Sequence, residues 1–304
     1  MSPVPPESGV SRSPQHQPVL LREVLEYLDL QPGLTIVDGT VGAGGHSRPI
    51  LQQIGPQGRL IGLDRDSMML SFAAQAVSGP NCDLRQASYV DLPDVLRGLD
   101  MTAVDRILLD LGLSSDQLAD EARGFSFSAN GPLDLRFDTR TGRPAWKLIE
   151  TISEEELKEV LDRYGEERFS GRIARAIVSR RQNFPIRTAG DLVEAVSAAI
   201  PAATQRAAAK HPATRAFQAL RIAVNSELEH LEQALSDTLY RTLKPGGRLV
   251  AITFHSLEDR LVKTAFRDKS RWKNLTPKPV TARAVERKMN PRSRTAKLRA
   301  AVRK

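Results

Sequence analysis

Short apolar runs alternate with amphipathic segments along the first third of the chain. Three of these runs end in an aspartate, namely Asp38, Asp64 and Asp110. Each run has the length and composition of a buried strand, and its alternation with helical patterns predicts an α/β fold with a parallel sheet. The predicted strands cover residues 34–38, 58–64, 81–86, 104–110 and 248–254. Ligands of such sheets bind at the carboxyl ends of the strands, where the three aspartates lie.

A long segment without strand pattern interrupts the alternation. It opens with an aperiodic stretch that predicts an ordered loop. It continues with helical patterns that begin at caps, among them Ser153 and Thr188. We therefore predict that residues 112–211 form an inserted all-helical subdomain. Residues 16–111 and 212–304 then form the sheet domain, and residues 1–15, rich in proline, are predicted to be disordered.

The chain is expected to return to the sheet through one long helix over residues 212–243. After the next strand, Ser256 and Asp259 are predicted to cap a helix. Residues 295–302 alternate apolar and basic side chains, which predicts a half-exposed antiparallel strand at the edge of the sheet.

A glycine-rich turn follows the first predicted strand, with glycines at positions 39, 42, 44 and 45. Such a turn lets the backbone approach a ligand closely. Asp64 lies 22 residues after Gly42, at a strand tip where a carboxylate can accept hydrogen bonds from ribose hydroxyls. This spacing serves NAD and S-adenosylmethionine alike. The missing third glycine of the dinucleotide fingerprint and the LKPGGRL segment at residues 243–249 favour S-adenosylmethionine.

Composition excludes several classes of function. Cys82 is the only cysteine, so internal disulfides and thiolate metal clusters are excluded, and the five histidines lack metal-ligand spacing. We predict no metal site. No apolar run approaches the roughly 18 residues that cross a membrane, and no secretory signal is recognisable. These features predict a cytoplasmic protein without a membrane partner.

Charge is distributed unevenly along the chain. Residues 260–304 contain 16 lysines and arginines against two acidic residues, a net charge of +14, whereas the whole chain carries +8. The rest of the chain is therefore acidic, with a net charge of −6. A basic tail on an acidic body predicts binding to a polyanion, with solubility as the alternative role of the tail. The basic helix predicted at residues 170–181 is a second candidate surface for a polyanion.

Eight motifs, in order along the chain from about residue 16 to the end, resemble one family. They are VDGTVGAGGHS (37–47), ILLDLGLSSDQ (107–117), RGFSFS (123–128), GPLDLR (131–136), YGEE (164–167), HPATR (211–215), FHSLEDR (254–260) and NPRSR (290–294). The family is that of the bacterial ribosomal RNA small subunit methyltransferase H proteins, also called MraW. The resemblance implies a class I, Rossmann-like methyltransferase sheet with the helical insertion. It also implies transfer of a methyl group from S-adenosyl-L-methionine to N4 of a cytidine in the decoding region of 16S ribosomal RNA.

The resemblance also implies the cofactor contacts. Gly42 belongs to the glycine turn, while Gly44, Gly45 and His46 are expected at the methionine end of the donor. Asp64 is expected on the ribose, Tyr89 near the adenine, and Asp110 and Gln117 at the rim. The small ribosomal subunit is the implied partner, with no obligate protein partner.

The candidate proton acceptor is Asp110, with His255 as the second candidate. Methylation at cytosine C5 requires a cysteine thiolate, and Cys82 falls at the start of a strand, away from the carboxyl edge. An acceptor for an amino proton of N4 instead suits the end of the fourth strand. Phe125 and Phe127 could stack a base that leaves its helix, although packing between helices is the commoner role of such residues. The alternatives are a DNA amino-methyltransferase, for which no sequence-reading module is recognisable, and a non-catalytic ribosome assembly factor that binds S-adenosylmethionine.

Overall fold

The computed structural model describes residues 17–127, 131–207 and 211–304, so the predicted disordered segment lies outside the described residues. The strands are β1 Thr35–Asp38, β2 Arg59–Asp64, β3 Cys82–Gln86, β4 Val104–Asp110, β5 Leu243–Thr253, β6 Trp272–Asn274, β7 Val280–Thr281 and β8 Lys297–Arg303. In the described residues these strands form one sheet in the order β3-β2-β1-β4-β5-β8-β6, with β7 paired to β8. The first five strands are parallel, and the last three run antiparallel to their neighbours.

Helices surround the sheet and fill the insertion. They are α1 Leu21–Leu28, α2 Ser47–Ile54, α3 Ser67–Ala76, α4 Leu92–Arg97, α5 Ser115–Ala119, α6 Ala145–Thr151, α7 Glu154–Gly165, α8 Ser170–Asn183, α9 Ala189–Ala199, α10 Ala202–Ala207, α11 Thr214–Asn225, α12 Glu227–Gln233, α13 Leu239–Thr242, α14 Ser256–Ala265 and α15 Ala284–Met289. Short 3₁₀ turns lie at Tyr89–Asp91, Glu121–Arg123 and Pro291–Arg294, and a π-helical turn at Ala234–Thr238. In the part of the chain that the structure describes, no helix combines the length and apolar character needed to cross a membrane.

The sheet is buried on both faces, which explains why its strands read as continuous apolar runs. In the centre of the sheet, Val37 pairs with Ile61 on one side and Ile107 on the other. Ile36 and Leu108 contribute to the apolar cluster on one face, while Val37 and Ile107 contribute to the cluster on the opposite face. The carboxyl ends of β1, β2 and β4 therefore meet at one edge, as the pattern predicts.

The predicted position of the last strand at the sheet edge is wrong. β8 pairs with β5 on one side, and β6 and β7 cover its other side. β6 has three residues, too few for a periodic signal, but its Trp272 is 2% exposed and anchors the strand in the core. β3, expected as an internal strand, lies at the opposite edge. β5 also begins earlier than predicted, because Leu243 already pairs with Val104 ahead of a register shift.

The predicted single helix over residues 212–243 is also wrong, because it breaks at Ser226, whose φ is 50°. The cause is tertiary. The buried Asn225 side chain donates to the Leu135 carbonyl (2.6 Å) and accepts from the Phe137 amide (2.7 Å), both in the loop ahead of α6. Arg65 donates to the Asn225 carbonyl (2.7 Å), which removes that group from the helical ladder.

The insertion has an apolar core of its own, to which α7, α8 and α9 contribute Leu157, Ile173 and Leu192. The predicted caps Ser153 and Thr188 both form capping boxes. Phe217 and Leu220 of α11 belong to the same cluster. The start of the returning segment thus packs with the insertion, and the domain boundary at residue 211 stays a prediction.

Candidate functional site

A cavity lies where β1, β2 and β4 end. It gathers most of the side chains predicted from the motifs. The predicted residues that line it are Gly42, Gly45, His46, Asp64, Tyr89, Asp110 and Gln117. Two predicted residues are not in its lining. Gly44 belongs to the turn but faces α3, and His255 lines a neighbouring cavity.

The glycine turn forms one wall of the cavity, and its backbone conformation favours glycine at two positions. Gly42 and Gly44 have φ of +51° and +83°, in the left-handed region where a Cβ is unfavourable. A Cβ on Gly44 would also lie 3.1 Å from the Cβ of Ala76 in α3. Gly44 therefore serves the close packing of turn and helix.

Asp64 is held in place by the backbone around it. Its Oδ2 accepts a hydrogen bond from the Gly42 amide and its Oδ1 accepts one from the Asp66 amide, each at 2.9 Å. Burial raises the pKa of Asp64 to about 7, against the lowering effect of these two bonds. A further hydrogen-bond donor in the cavity would therefore stabilise the ionised form of Asp64.

His46 and Asp110 face each other across the cavity wall. His46 Nε2 lies 2.9 Å from the Val19 carbonyl oxygen, which can only accept, so we assign a proton to Nε2. Nδ1 then faces Asp110 Oδ2 at 3.4 Å. Asp110 Oδ1 is buried without a hydrogen-bond partner among the residues described. Burial raises the pKa of Asp110, while the nearby His46 and Arg292 oppose that rise.

Gln117 and Tyr89 line the cavity in different ways. The Gln117 amide is already used inside the protein, since Oε1 accepts from the Ser114 amide and Nε2 donates to Asp66 Oδ2, each at 2.9 Å. Asp66 also accepts from Arg123 (3.1 Å), which ties α3 to the loop of the insertion. Tyr89 is 9% exposed, and burial raises the pKa of its hydroxyl.

His255 caps α14 instead of Ser256, so the predicted pair of Ser256 and Asp259 is wrong. The Glu258 amide donates to His255 Nδ1 (3.4 Å), and His255 Nε2 lies 3.1 Å from Glu258 Oε1. Glu258 Oε2 in turn accepts from the Phe254 amide (2.8 Å). Burial raises the pKa of Glu258, but His255 and Arg221 more than offset it, so the net direction is down. Ser256 and Asp259 bond elsewhere, to Glu166 and Arg299.

A second cavity adjoins the first, and Gly112, Leu113 and Arg292 line both. Its walls include aromatic rings from the insertion. Phe127 stacks on His211 with ring centroids 4.6 Å apart and meets Phe217 edge-on. Glu258 also lines the first cavity, although the glycine motif gave no indication of it. The sequence signal for Glu258 was the H-x-x-E spacing from His255, which is the spacing of a capping box.

Part of the basic tail serves the fold, which corrects the expectation that its cations face a polyanion throughout. Arg299 is 4% exposed and pairs with Asp259 (2.6 Å), which Lys297 also approaches. Arg303 donates to the Leu243 carbonyl. Arg292 points inward, donates to the Leu113 carbonyl and has its pKa lowered by burial. The net charge and the spacing of the tail residues do not show which of these side chains point into the protein.

Comparison with known proteins gives a consistent assignment. The model of the MraW methylase family matches residues 13–304. Ribosomal RNA small subunit methyltransferase H of Symbiobacterium thermophilum is 45% identical over 94% of this chain and 96% of its own. The protein of the same name from Thermotoga neapolitana is 47% identical over 94% and 95%. The resemblance is confirmed, with the class I α/β sheet and the cofactor S-adenosyl-L-methionine that it implied. The chain belongs to the MraW methylase family.

Proposed function

We propose that this protein transfers a methyl group from S-adenosyl-L-methionine to N4 of a cytidine in the decoding region of 16S ribosomal RNA. One observation carries the proposal. The cavity at the glycine turn joins an aromatic cavity at Gly112, Leu113 and Arg292, next to Asp110. A donor site beside a slot for a single base is what methylation of an extruded nucleotide requires.

The first cavity fits the donor chemically. Asp64 is available to accept from ribose hydroxyls, and Tyr89 offers an aromatic wall for an adenine. Asp38 and Asp110 are buried carboxylates with raised pKa values, so a cationic ligand nearby relieves their desolvation. S-adenosyl-L-methionine carries both a sulfonium and an ammonium group, and it supplies the electrophilic methyl.

Cysteine chemistry at C5 is disfavoured by the position of Cys82. This residue begins β3 and pairs with Leu60 near the start of β2, at the amino edge of the sheet. Burial and the neighbouring Asp83 raise the pKa of its thiol, which lowers the thiolate fraction. The only thiol of the chain is thus at the wrong edge and in the wrong protonation state for attack at C6.

Asp110 suits amino chemistry. The N4 lone pair is delocalised into the ring, so an oxygen that accepts an amino hydrogen bond helps to localise it as the new bond forms. Asp110 Oδ1 is such an oxygen, and the Asp110 amide is itself held by Thr40 Oγ1 (2.6 Å). In this account Oδ1 takes the proton that N4 loses. His255 is the weaker candidate, because both of its ring nitrogens face Glu258.

The RNA substrate is supported by the relatives, which are named ribosomal RNA small subunit methyltransferase H. The test uses the full chain, radiolabelled donor and three acceptors: small ribosomal subunits, 16S RNA alone and duplex DNA. We expect label on the ribosomal acceptors only. Transfer to duplex DNA would point to a DNA amino-methyltransferase, and donor binding without transfer to any acceptor would point to an assembly factor.

A further inference from the structure

A third surface depression meets the two cavities at Arg292. It is an open groove between α5 and the segment that follows α15, with Leu118 and Met289 on opposite sides. Arg292 lines all three spaces and donates to the Leu113 carbonyl and to Ser115 Oγ (3.4 Å). Arg292 is therefore a shared wall of the groove and the two cavities.

The helix beside this groove lies at the functional edge of the sheet. α15 precedes β8, whose first residue, Lys297, pairs with Thr253 at the carboxyl end of β5. One face of α15 is docked on the N-terminal part of the described chain. Glu286 Oε1 accepts from the Leu20 amide (2.8 Å), and Asn290 after the helix donates to the Gln17 carbonyl (3.1 Å).

The solvent-exposed side chains of α15 include an apolar pair and two cations. Val285 and Met289 are four residues apart, on one side of the helix, and each is 70% exposed. Arg287 and Lys288 are exposed, and neither forms an ion pair within residues 17–127, 131–207 and 211–304. Lys288 lies three residues after Val285 and so flanks it on the helix surface, and an apolar pair beside an unpaired cation suits exposed bases and phosphates together.

Several other cations of the candidate RNA surfaces bond within the protein. In α8, Arg175 pairs with Glu154 and Arg180 with Glu194, while Arg181 donates to the Ile152 carbonyl (2.6 Å). The last strand uses Arg299 and Arg303 within the fold. Arg287 and Lys288 lie near the cavities and form no ion pair in the described residues, which leaves them free to bind a polyanion.

We propose that the exposed face of α15 and the adjoining groove form a platform for the single-stranded RNA that flanks the target nucleotide. This inference rests on the proposed RNA substrate. The basic side chains contact phosphates, and Val285 and Met289 contact unstacked bases. The strand then reaches the aromatic cavity past Arg292.

The test measures binding of a single-stranded RNA oligonucleotide of decoding-region sequence to the full chain, by fluorescence anisotropy over a series of salt concentrations. Replacing Arg287 and Lys288 together by alanine should lower the slope of log affinity against log salt by about 1.4, since each phosphate contact contributes about 0.7 on single strands. Replacing Val285 and Met289 together by serine should weaken binding several-fold at every salt concentration with an unchanged slope.

The matched control replaces Arg267 and Lys269 by alanine. These exposed cations precede β6, whose Trp272 pairs with Arg303 at the amino edge of the sheet, so their loss should leave the slope unchanged. All variants should keep the melting temperature and donor affinity of the parent. An unaltered slope in the Arg287 and Lys288 variant would overturn the proposal. If the Arg287 and Lys288 variant bound the oligonucleotide normally but no longer methylated whole subunits, α15 would instead contact a ribosomal protein. That result would also contradict the proposal.

These results are distinguishable from failure of the proposed function. The anisotropy readout needs neither donor nor catalysis, so it tests the platform in a protein of any activity. If the parent protein bound the oligonucleotide through α15 but transferred no methyl group, the RNA platform would be supported and the proposed methylation would be wrong.

Discussion

At the scale of single residues, the candidate site depends on two buried carboxylates with different hydrogen-bond partners. Asp64 and Asp110 each end a parallel strand, and both have pKa values raised by burial. The backbone satisfies Asp64, whereas Asp110 keeps one oxygen without a partner in the described structure. Under the proposed function, Asp64 would hold the donor and Asp110 would take part in the reaction.

Donor affinity should depend on pH through Asp64. Its pKa of about 7 means that the carboxylate is ionised above that pH and protonated below it. The ionised form accepts from ribose hydroxyls, so donor affinity should rise about tenfold from pH 6 to pH 8. Asp64→Asn should weaken binding by about 2 kcal/mol and flatten this dependence. Calorimetry at both pH values checks the prediction, and unchanged affinity in a folded variant would contradict it.

Asp110→Asn separates chemistry from binding. The amide keeps the shape of the carboxylate but cannot take up a proton, so the single-turnover rate with saturating donor should fall at least a hundredfold. Donor affinity should change far less. Asp162→Asn, on the exposed side of α7, is the control and should behave as the parent. A fully active Asp110→Asn protein would remove this side chain from the reaction.

At the scale of elements, the periodic segments could be predicted and the tertiary exceptions could not. Strands such as β4 follow from their apolar runs, and the capping boxes at Ser153 and Thr188 follow from local spacing. β6 is too short for a pattern, and it exists because Trp272 fits the core. The inward direction of Arg292 depends on a carbonyl 179 positions away in the chain. Such contacts leave no local signal.

The break between α11 and α12 gives a prediction about stability. Asn225→Ala should leave the buried Leu135 carbonyl and Phe137 amide without their partner, at a cost of about 2–4 kcal/mol in the free energy of unfolding. Ser226→Gly is the contrasting variant. Its φ of 50° suits glycine, so stability should change by less than about 1 kcal/mol. Urea denaturation measures both, and equal effects would contradict the role of Asn225.

At the scale of the whole molecule, opposite charges are separated between interior and surface. Buried acids cluster around the first cavity, where a cationic donor fits, while free cations lie on α15 outside it. The insertion contributes the aromatic wall of the second cavity from a separate apolar core. The sheet domain and the insertion thus both contribute residues to each of the two cavities.

The chemical identity of the product tests the central claim most directly. Small subunits methylated by the full chain are digested to nucleosides, and the modified nucleoside is identified by mass spectrometry. The account predicts N4-methylcytidine from the decoding region, because Asp110 accepts an amino proton and Cys82 lies at the opposite edge of the sheet. A product of 5-methylcytidine or of a 2′-O-methyl nucleoside would contradict it.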